Sequence, residues 1–134
     1  LDFIEQRGMN WGVVTNKPAF LTQPLMAALG LAERAACIIS GDTTANKKPH
    51  PEPLLHACRL AGSKAAQCLY VGDAQRDIRA GHNAGMPTLV ALFGYIGGED
   101  HPETWGADAL IGDPAEIIAW IKNRSRAEPA AGSA

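Results

Sequence analysis

Short apolar runs and helix-like segments alternate along most of the chain. The runs lie at residues 11–14, 37–39, 69–71, 88–92 and 109–111. Apolar runs of this length, bounded by polar and glycine-containing segments, predict strands that are buried on both faces. Because helical patterns separate most of them, we expect an α/β fold of the Rossmann-like, three-layer α/β/α type with a parallel sheet.

The last helical pattern is predicted to begin after Asp113 and to end near Asn123. The residues that follow are small and polar and carry no apolar period, a composition that favours disorder. We therefore expect one domain over residues 1–123 and a disordered tail over residues 124–134.

The segment 69–90 is the unit around which the other elements are arranged. Its apolar run ends at Gly72, Asp73 follows as a candidate N-cap, and Asp77 lies one turn further along the same helix face. Two carboxylates at the carboxyl end of a strand suit Mg²⁺, which takes few protein oxygens and shares its coordination with water and phosphate. Alternatively, Asp73 only caps the helix and Asp77 only compensates the helix dipole.

A hydroxyl and a side-chain amide follow the first strand. Thr15 and Asn16 stand between that strand and a helix that begins near Pro18. Together with the free N–H groups of a helix N-terminus, they form a candidate site for an anion such as phosphate. The alternative is that Thr15 merely caps the helix.

A polar loop with adjacent lysines follows the second strand. Lys48 precedes a proline-rich helix start. The following proline would restrict the orientation of the lysine, which makes Lys48 a candidate phosphate ligand. Most lysine pairs are solvated, so an exposed surface role is the alternative. His50 lies in the same polar loop and is expected to be exposed.

Composition narrows the classes of partner. The 134 residues are 46% hydrophobic and carry a net charge of −2, which gives no electrostatic basis for binding nucleic acid or an anionic membrane. No apolar run is long enough to span a bilayer, so we expect a cytoplasmic protein. The three cysteines have no CxxC spacing and are predicted to be buried free thiols.

Three sequence motifs occur in the order VVTNK, NKKPHPEPL and VGDAQRDIRAG. This ordered set resembles the second, third and fourth motifs of the haloacid dehalogenase superfamily of phosphatases. Within it, the chain is similar to the phosphoglycolate phosphatase group, and also to bacterial phosphatases that act on N-acetylmuramic acid 6-phosphate. The resemblance covers nearly everything before the tail.

The resemblance implies a role for each candidate residue. Thr15 would hydrogen-bond the transferring phosphoryl group with Asn16 beside it, and Lys48 would neutralise phosphoryl oxygens and the nucleophile. Asp73 would bind Mg²⁺ directly, and Asp77 would act as a ligand or hold a metal-bound water. Thr15, Lys48, Asp73 and Asp77 would thus be the catalytic residues of a magnesium-dependent phosphomonoester hydrolase acting on a small phosphorylated metabolite.

The sequence departs from the family pattern at its start. No aspartate belongs to the DxD motif that supplies the family's nucleophile for the aspartyl-phosphate intermediate. The helical cap that largely selects the substrate is also absent. We therefore expect an incomplete core, the C-terminal part of a longer phosphatase, which is inactive by itself.

The missing first-motif strand would lie between the strand ending at Thr15 and the one ending at Asp73. Without it two strand edges are exposed. We expect the chain to pair those strands directly, to associate with a second copy, or to associate with a separate N-terminal segment.

Two other functions fit parts of the sequence. In the first, the chain is a non-catalytic module that binds phosphate or magnesium through the retained residues. In the second, it is a receiver-type signalling domain, which is disfavoured because receiver domains carry their acidic pair early, whereas Asp73 and Asp77 follow Lys48.

Overall fold

The structure, a computed structural model, describes residues 1–94 and 100–127. Over these residues strands and helices alternate, as the sequence predicts. The strands are β1 (Val13–Val14), β2 (Ile38–Ile39), β3 (Tyr70–Gly72), β4 (Thr88–Ala91) and β5 (Ala109–Ile111). The helices are α1 (Asp2–Gln6), α2 (Ala19–Ala28), α3 (Glu52–Ala61), α4 (Gln75–Ala84) and α5 (Ala115–Ala127).

The strands form two parallel sheets rather than one. β1 pairs with β2, and a second sheet has the order β3-β4-β5. All pairs are parallel, which confirms the predicted architecture. Within the described residues β1 does not pair with β3, so direct pairing, one of the three expected alternatives, is wrong.

The second sheet is built around β4, in which all four residues are buried. Leu89 and Val90 are fully shielded from solvent because β3 and β5 cover both edges, and α4 packs against β3 and β4. Ile78 of α4 is equally buried. A strand that is apolar at every position is stable only when both of its faces are covered, and here they are.

Helix α3 connects the two sheets. It contacts β1 and β2 on one side and α4 on the other. Its buried residues Leu54 and Cys58 belong to a cluster that also includes Ala80 of α4, and Val14 and Tyr70 pack against this cluster. The apolar core therefore passes from one sheet to the other through α3.

The end of the last helix differs from the prediction. α5 continues to Ala127, so residues 124–127 of the predicted tail are helical. The reason is local, because no glycine or proline occurs between Asn123 and Pro129 to stop the helix. Residues 128–134, the rest of the predicted tail, and residues 95–99 of the glycine-rich loop lie outside the described residues.

Neither of the two short 3₁₀ helices, Ala65–Gln67 and Pro102–Thr104, was predicted. The three cysteines are free, as expected, but only Cys58 is buried, whereas Cys37 and Cys68 are partly exposed. None of the helices that the structure describes has both the length and the apolarity to cross a bilayer.

Candidate functional site

A cavity of about 850 Å³ opens at the carboxyl ends of β1 and β3. It lies where the two sheets face each other. All of the predicted site residues line it, and these are Thr15, Asn16, Lys48, Asp73 and Asp77. The structure thus brings together three motifs that are dispersed over more than sixty positions of the chain, as the ends of parallel strands should.

Lys48 and Asp77 form a buried ion pair at the floor of this cavity. Lys48 Nζ donates to Asp77 Oδ1 at 2.6 Å, and the two side chains are only 7% and 6% exposed. Lys48 Nζ also donates to the Tyr70 hydroxyl at 2.8 Å and to the Val14 carbonyl at 3.1 Å. These contacts use all three donors of the ammonium group, so Lys48 is a fixed charge and the solvated alternative is wrong.

The second oxygen of Asp77 is also engaged. Oδ2 accepts from the backbone N–H groups of Asp73 and Ala74 at 3.1 and 3.2 Å. The N-cap of α4 is Ala74, so the prediction that Asp73 is the cap was wrong by one residue. The physical reason is that Asp77, three residues into the helix, reaches back to bond the N-cap amide as the acidic residue of a capping box does.

Two glycines lie directly against the acidic side chains of the site. A Cβ at Gly72 would overlap the side chain of Asp77, and a Cβ at Gly94 would overlap that of Asp73. Glycine is therefore required at both positions by space. The consequence is that Asp73 and Asp77 are held between backbone segments at the cavity wall.

The Asn16 amide holds the backbone of Lys48. Its Oδ1 accepts from Lys48 N at 3.1 Å, and its Nδ2 donates to Lys48 O at 3.3 Å. Asn16 therefore positions Lys48 through two hydrogen bonds. Its phosphate-binding role stays a prediction, and a direct contact by the side chain would require one of these bonds to break.

Thr15 does not cap α2. Its Oγ1 accepts from Lys17 N at 3.1 Å, within the loop that follows β1. The N-cap of α2 is Pro18, and the amide of Ala19 donates to Asp42 Oδ1 at 2.9 Å. The helix-capping alternative for Thr15 is thus wrong, and part of the anion-binding capacity expected at this helix start is used by Asp42.

Tyr70 is a site residue that the sequence reasoning missed. Its hydroxyl donates to the Val14 carbonyl at 3.1 Å and accepts from Lys48. Burial, followed by the charges of Asp77 and Asp73, raises the pKa of the Tyr70 phenol well above its usual range. The only available signal was a tyrosine within an otherwise apolar strand, since buried tyrosines usually find a partner for the hydroxyl.

The donor set fits a sparse magnesium site. Asp73 and Asp77 are adjacent at the cavity, and Mg²⁺ takes one or two carboxylates plus water and phosphate oxygens. Within residues 1–94 and 100–127, no three His, Cys, Asp or Glu side chains converge as a metal-binding group. Any metal at this site would therefore take most of its ligands from outside these two side chains.

Residues 1–91 match the family model described as haloacid dehalogenase-like hydrolase. The chain belongs to the haloacid dehalogenase-like hydrolase family. The matched range contains every residue of the Lys48 and Asp77 network described above, so the family assignment and the site geometry refer to the same part of the chain.

Relatives of this chain are named phosphatases. A phosphoglycolate phosphatase of Xanthomonas campestris pv. campestris (strain 8004) is 50% identical over 123 residues, which cover 90% of this chain and 56% of the relative. An N-acetylmuramic acid 6-phosphate phosphatase of Pseudomonas putida is 47% identical over 114 residues, which cover 85% of this chain and 51% of the relative. The chain therefore spans about half the length of the curated relatives it matches.

A solved structure shows the same fold. The crystal structure of a predicted phosphoglycolate phosphatase from Haemophilus somnus 129PT matches with a TM-score of 0.82 at 31% identity. The match covers 90% of this chain and 53% of that chain. This haloacid dehalogenase-like chain thus matches about half of that larger protein.

Proposed function

We propose that this chain is the phosphoryl-holding part of a magnesium-dependent phosphomonoester hydrolase. The observation that carries the proposal is the buried Lys48–Asp77 pair, which lies with Thr15 and Asp73 at one cavity. Burying a lysine and an aspartate is unfavourable unless both are paired and hydrogen-bonded. The pair is held in this way at the cavity beside the carboxyl ends of β1 and β3. This placement supports a role in the chemistry of the site.

Each residue has a physical task in phosphoryl transfer. Phosphoryl transfer needs mainly positioning and electrostatic stabilisation. Lys48 supplies a positive charge at a fixed position. A hydrogen bond to Asp77 holds its ammonium group, and a hydrogen bond to Asn16 holds its backbone. Thr15 supplies a hydroxyl at the end of β1, at the cavity that Asp73 also lines.

Asp73 and Asp77 are the residues that would hold Mg²⁺. Both oxygens of Asp77 already accept hydrogen bonds, so Asp77 would act through a metal-bound water. The direct contact with the metal is the role that the family resemblance gives to Asp73. Bound Mg²⁺ would neutralise charge on the phosphoryl oxygens.

The nucleophile is proposed to come from outside these 134 residues. No DxD motif occurs in the chain, and the matched residues cover only 56% and 51% of the two relatives, which are longer. An aspartate supplied by that additional length would form the aspartyl-phosphate intermediate, next to Lys48 and Thr15.

The proposed substrate is a small phosphorylated metabolite, with phosphoglycolate first and N-acetylmuramic acid 6-phosphate or another sugar phosphate as the alternative. Relatives named for each of these two substrates support both. Exposed Lys17 and Arg76 line the cavity and favour an anionic ester. The net charge of −2 gives no support to a nucleic-acid or membrane partner. A cytoplasmic location is proposed because no apolar run of the sequence is long enough to span a bilayer.

Hydrolysis of 4-nitrophenyl phosphate with Mg²⁺ tests the proposal. The chain is assayed alone and together with the separately produced part of the Xanthomonas campestris relative that it does not span. We expect no turnover by the chain alone and turnover by the mixture, lost by at least a hundredfold in Asp73→Asn. Asp2→Asn is the matched control, because Asp2 is 85% exposed and does not line the cavity.

Two results would contradict this proposal. Turnover by the isolated chain would mean that one of its own residues is the nucleophile. A mixture that forms a complex and binds phosphate, but hydrolyses neither 4-nitrophenyl phosphate nor phosphoglycolate nor N-acetylmuramic acid 6-phosphate, would favour the non-catalytic phosphate-binding module.

A further inference from the structure

Two of the three thiols of the chain are in contact with each other. Cys58 Sγ, on α3, is 3.9 Å from Cys68 Sγ, which stands two residues before β3. Cys58 belongs to the apolar cluster of α3 and α4, and Cys68 packs against that cluster. The S–S distance in a disulfide is about 2 Å, so a short movement of one side chain would bring the two sulfurs to bonding distance.

The two thiols differ in how a reagent from solvent can reach them. Cys58 is only 7% exposed, whereas Cys68 is partly exposed. The S–H of Cys68 donates to the Lys64 carbonyl at 3.2 Å, a weak bond because sulfur is a poor donor. Cys68 has extended backbone at the end of the 3₁₀ helix Ala65–Gln67 and belongs to no helix or strand. A small molecule can therefore reach Cys68, but not Cys58.

The protonation of Cys58 gives the same order of reaction. The thiolate is the reactive form of cysteine. Burial, followed by the charge of Cys68, raises the pKa of the Cys58 thiol from 9.0 to about 12. Cys58 therefore keeps its proton at neutral pH. Cys68 is the thiol that would attack an incoming reagent, and Cys58 is the one that would complete the exchange.

We propose that Cys58 and Cys68 form a reversible disulfide by exchange with a small-molecule disulfide such as oxidised glutathione. The thiolate of Cys68 attacks one sulfur of the reagent, whose S–S bond breaks and releases one thiolate. Cys58 then attacks the Cys68 sulfur of this mixed disulfide and releases the second thiolate. The protons of the two cysteines pass to the two released thiolates. The protein thiols thus lose two electrons, and the reagent is reduced to two thiols.

The disulfide would join two elements that position the site. It would connect α3 to the residue two positions before β3, across ten positions of the chain. Tyr70 follows Cys68 by two residues and packs against the same cluster. The bond would therefore hold the start of the strand whose tyrosine hydroxyl accepts from Lys48. Because Cys68 is partly exposed, a reducing thiol can also reach the disulfide, which makes the modification reversible.

Mass spectrometry of the folded 134-residue chain in glutathione buffers tests the proposal. We expect the chain to lose the mass of two hydrogen atoms, a peptide pair linking Cys58 to Cys68, and complete reversal by dithiothreitol. Because the fold holds the two sulfurs in contact, half-oxidation should need at least tenfold less oxidised glutathione than in the chain unfolded in urea. Absence of the disulfide, a link through Cys37, or an equal requirement in both states would overturn the proposal.

Variants separate the two steps. Cys58→Ala removes the thiol that completes the exchange, so we expect a stable mixed disulfide of glutathione on Cys68. In Cys68→Ala, the modification of Cys58 should be at least tenfold slower, because Cys58 is buried. Equal rates at these two positions would overturn the assigned order. Mapping of the unmodified chain decides the question if Cys58→Ala does not fold.

Cys37→Ala is the matched control. Cys37 is partly exposed like Cys68, but the proposed exchange does not use it. The rate at which the Cys58–Cys68 disulfide forms should therefore change less than twofold, and loss of the disulfide in this variant would contradict the pairing. All of these readouts are masses of the protein, so they are independent of the proposed hydrolysis.

Discussion

The two sheets differ in how they are stabilised. In the three-stranded sheet, β4 is covered on both edges and all its residues are buried. In the two-stranded sheet, β1 and β2 have two residues each, and both valines of β1 are only half buried. A two-stranded sheet is marginal by itself in water.

The smaller sheet therefore depends on contacts to the larger one. These contacts are the Lys48–Asp77 pair, the Tyr70 bond to Val14 and the apolar packing of α3. Lys48 and Asp77, which are proposed to act in phosphoryl transfer, therefore also hold the two sheets together. Changing them should affect stability as well as activity.

The largest expected effect comes from breaking the ion pair. Lys48→Ala leaves the carboxylate of Asp77 buried without its counter-ion and should lower the free energy of unfolding by about 3–5 kcal/mol. Urea denaturation measures it. Lys47→Ala is the control, because Lys47 is exposed and its removal should change stability by less than about 0.5 kcal/mol. Similar losses in both variants would contradict the coupling of the sheets through Lys48.

Removing a buried side chain of α3 should have the second-largest effect on stability. Leu54 is 1% exposed in the cluster that joins the sheets, so Leu54→Ala should cost about 2–4 kcal/mol in urea denaturation. The control on the same helix is Leu60→Ala, since Leu60 is 57% exposed. If the two variants were equally stable, α3 would not be the apolar connection between the sheets.

The close approach at Gly72 should have an intermediate effect. Gly72→Ala places a Cβ against the side chain of Asp77 and should cost about 1–3 kcal/mol, because the ion pair must shift. Gly112 follows β5 much as Gly72 ends β3, and a Cβ there meets only Glu116 Oε1 at 3.8 Å. Gly112→Ala should therefore leave the thermal midpoint nearly unchanged, and a comparable drop would refute the spatial argument.

Alkaline pH should weaken the connection between the sheets gradually. Burial raises the pKa of Tyr70 above its ordinary value of 10 and that of the Cys58 thiol from 9.0 to about 12. The folded chain then keeps protons that the unfolded chain releases, so stability is constant below about pH 9 and falls above it. Each group contributes up to about 1.4 kcal/mol per pH unit above its unfolded pKa.

Denaturation between pH 8 and 11 measures this slope. Tyr70→Phe should reduce the slope above pH 10, and Cys58→Ala should reduce it from pH 9. A slope that neither variant changes would show that other groups dominate alkaline unfolding.

Local patterns were sufficient for the strands and for most of the site. Thr15, Lys48, Asp73 and Asp77 each stand next to an element end that proline, glycine or an apolar run marks in the sequence, and all four line the cavity. The roles of Asn16, Asp42 and Tyr70 were not predictable in this way. Their partners lie 22 to 56 positions away, and a side-chain bond at that separation leaves no periodic or motif signal.

The residues bonded to Lys48 are also distant in the sequence, which has a consequence for folding kinetics. Its partners Asn16, Asp77 and Tyr70 are 32, 29 and 22 positions away. Every such contact closes a long loop, whose entropy must be lost before the contact stabilises anything. We therefore expect the Lys48 network to form late in folding, after α3, α4 and the three-stranded sheet have assembled.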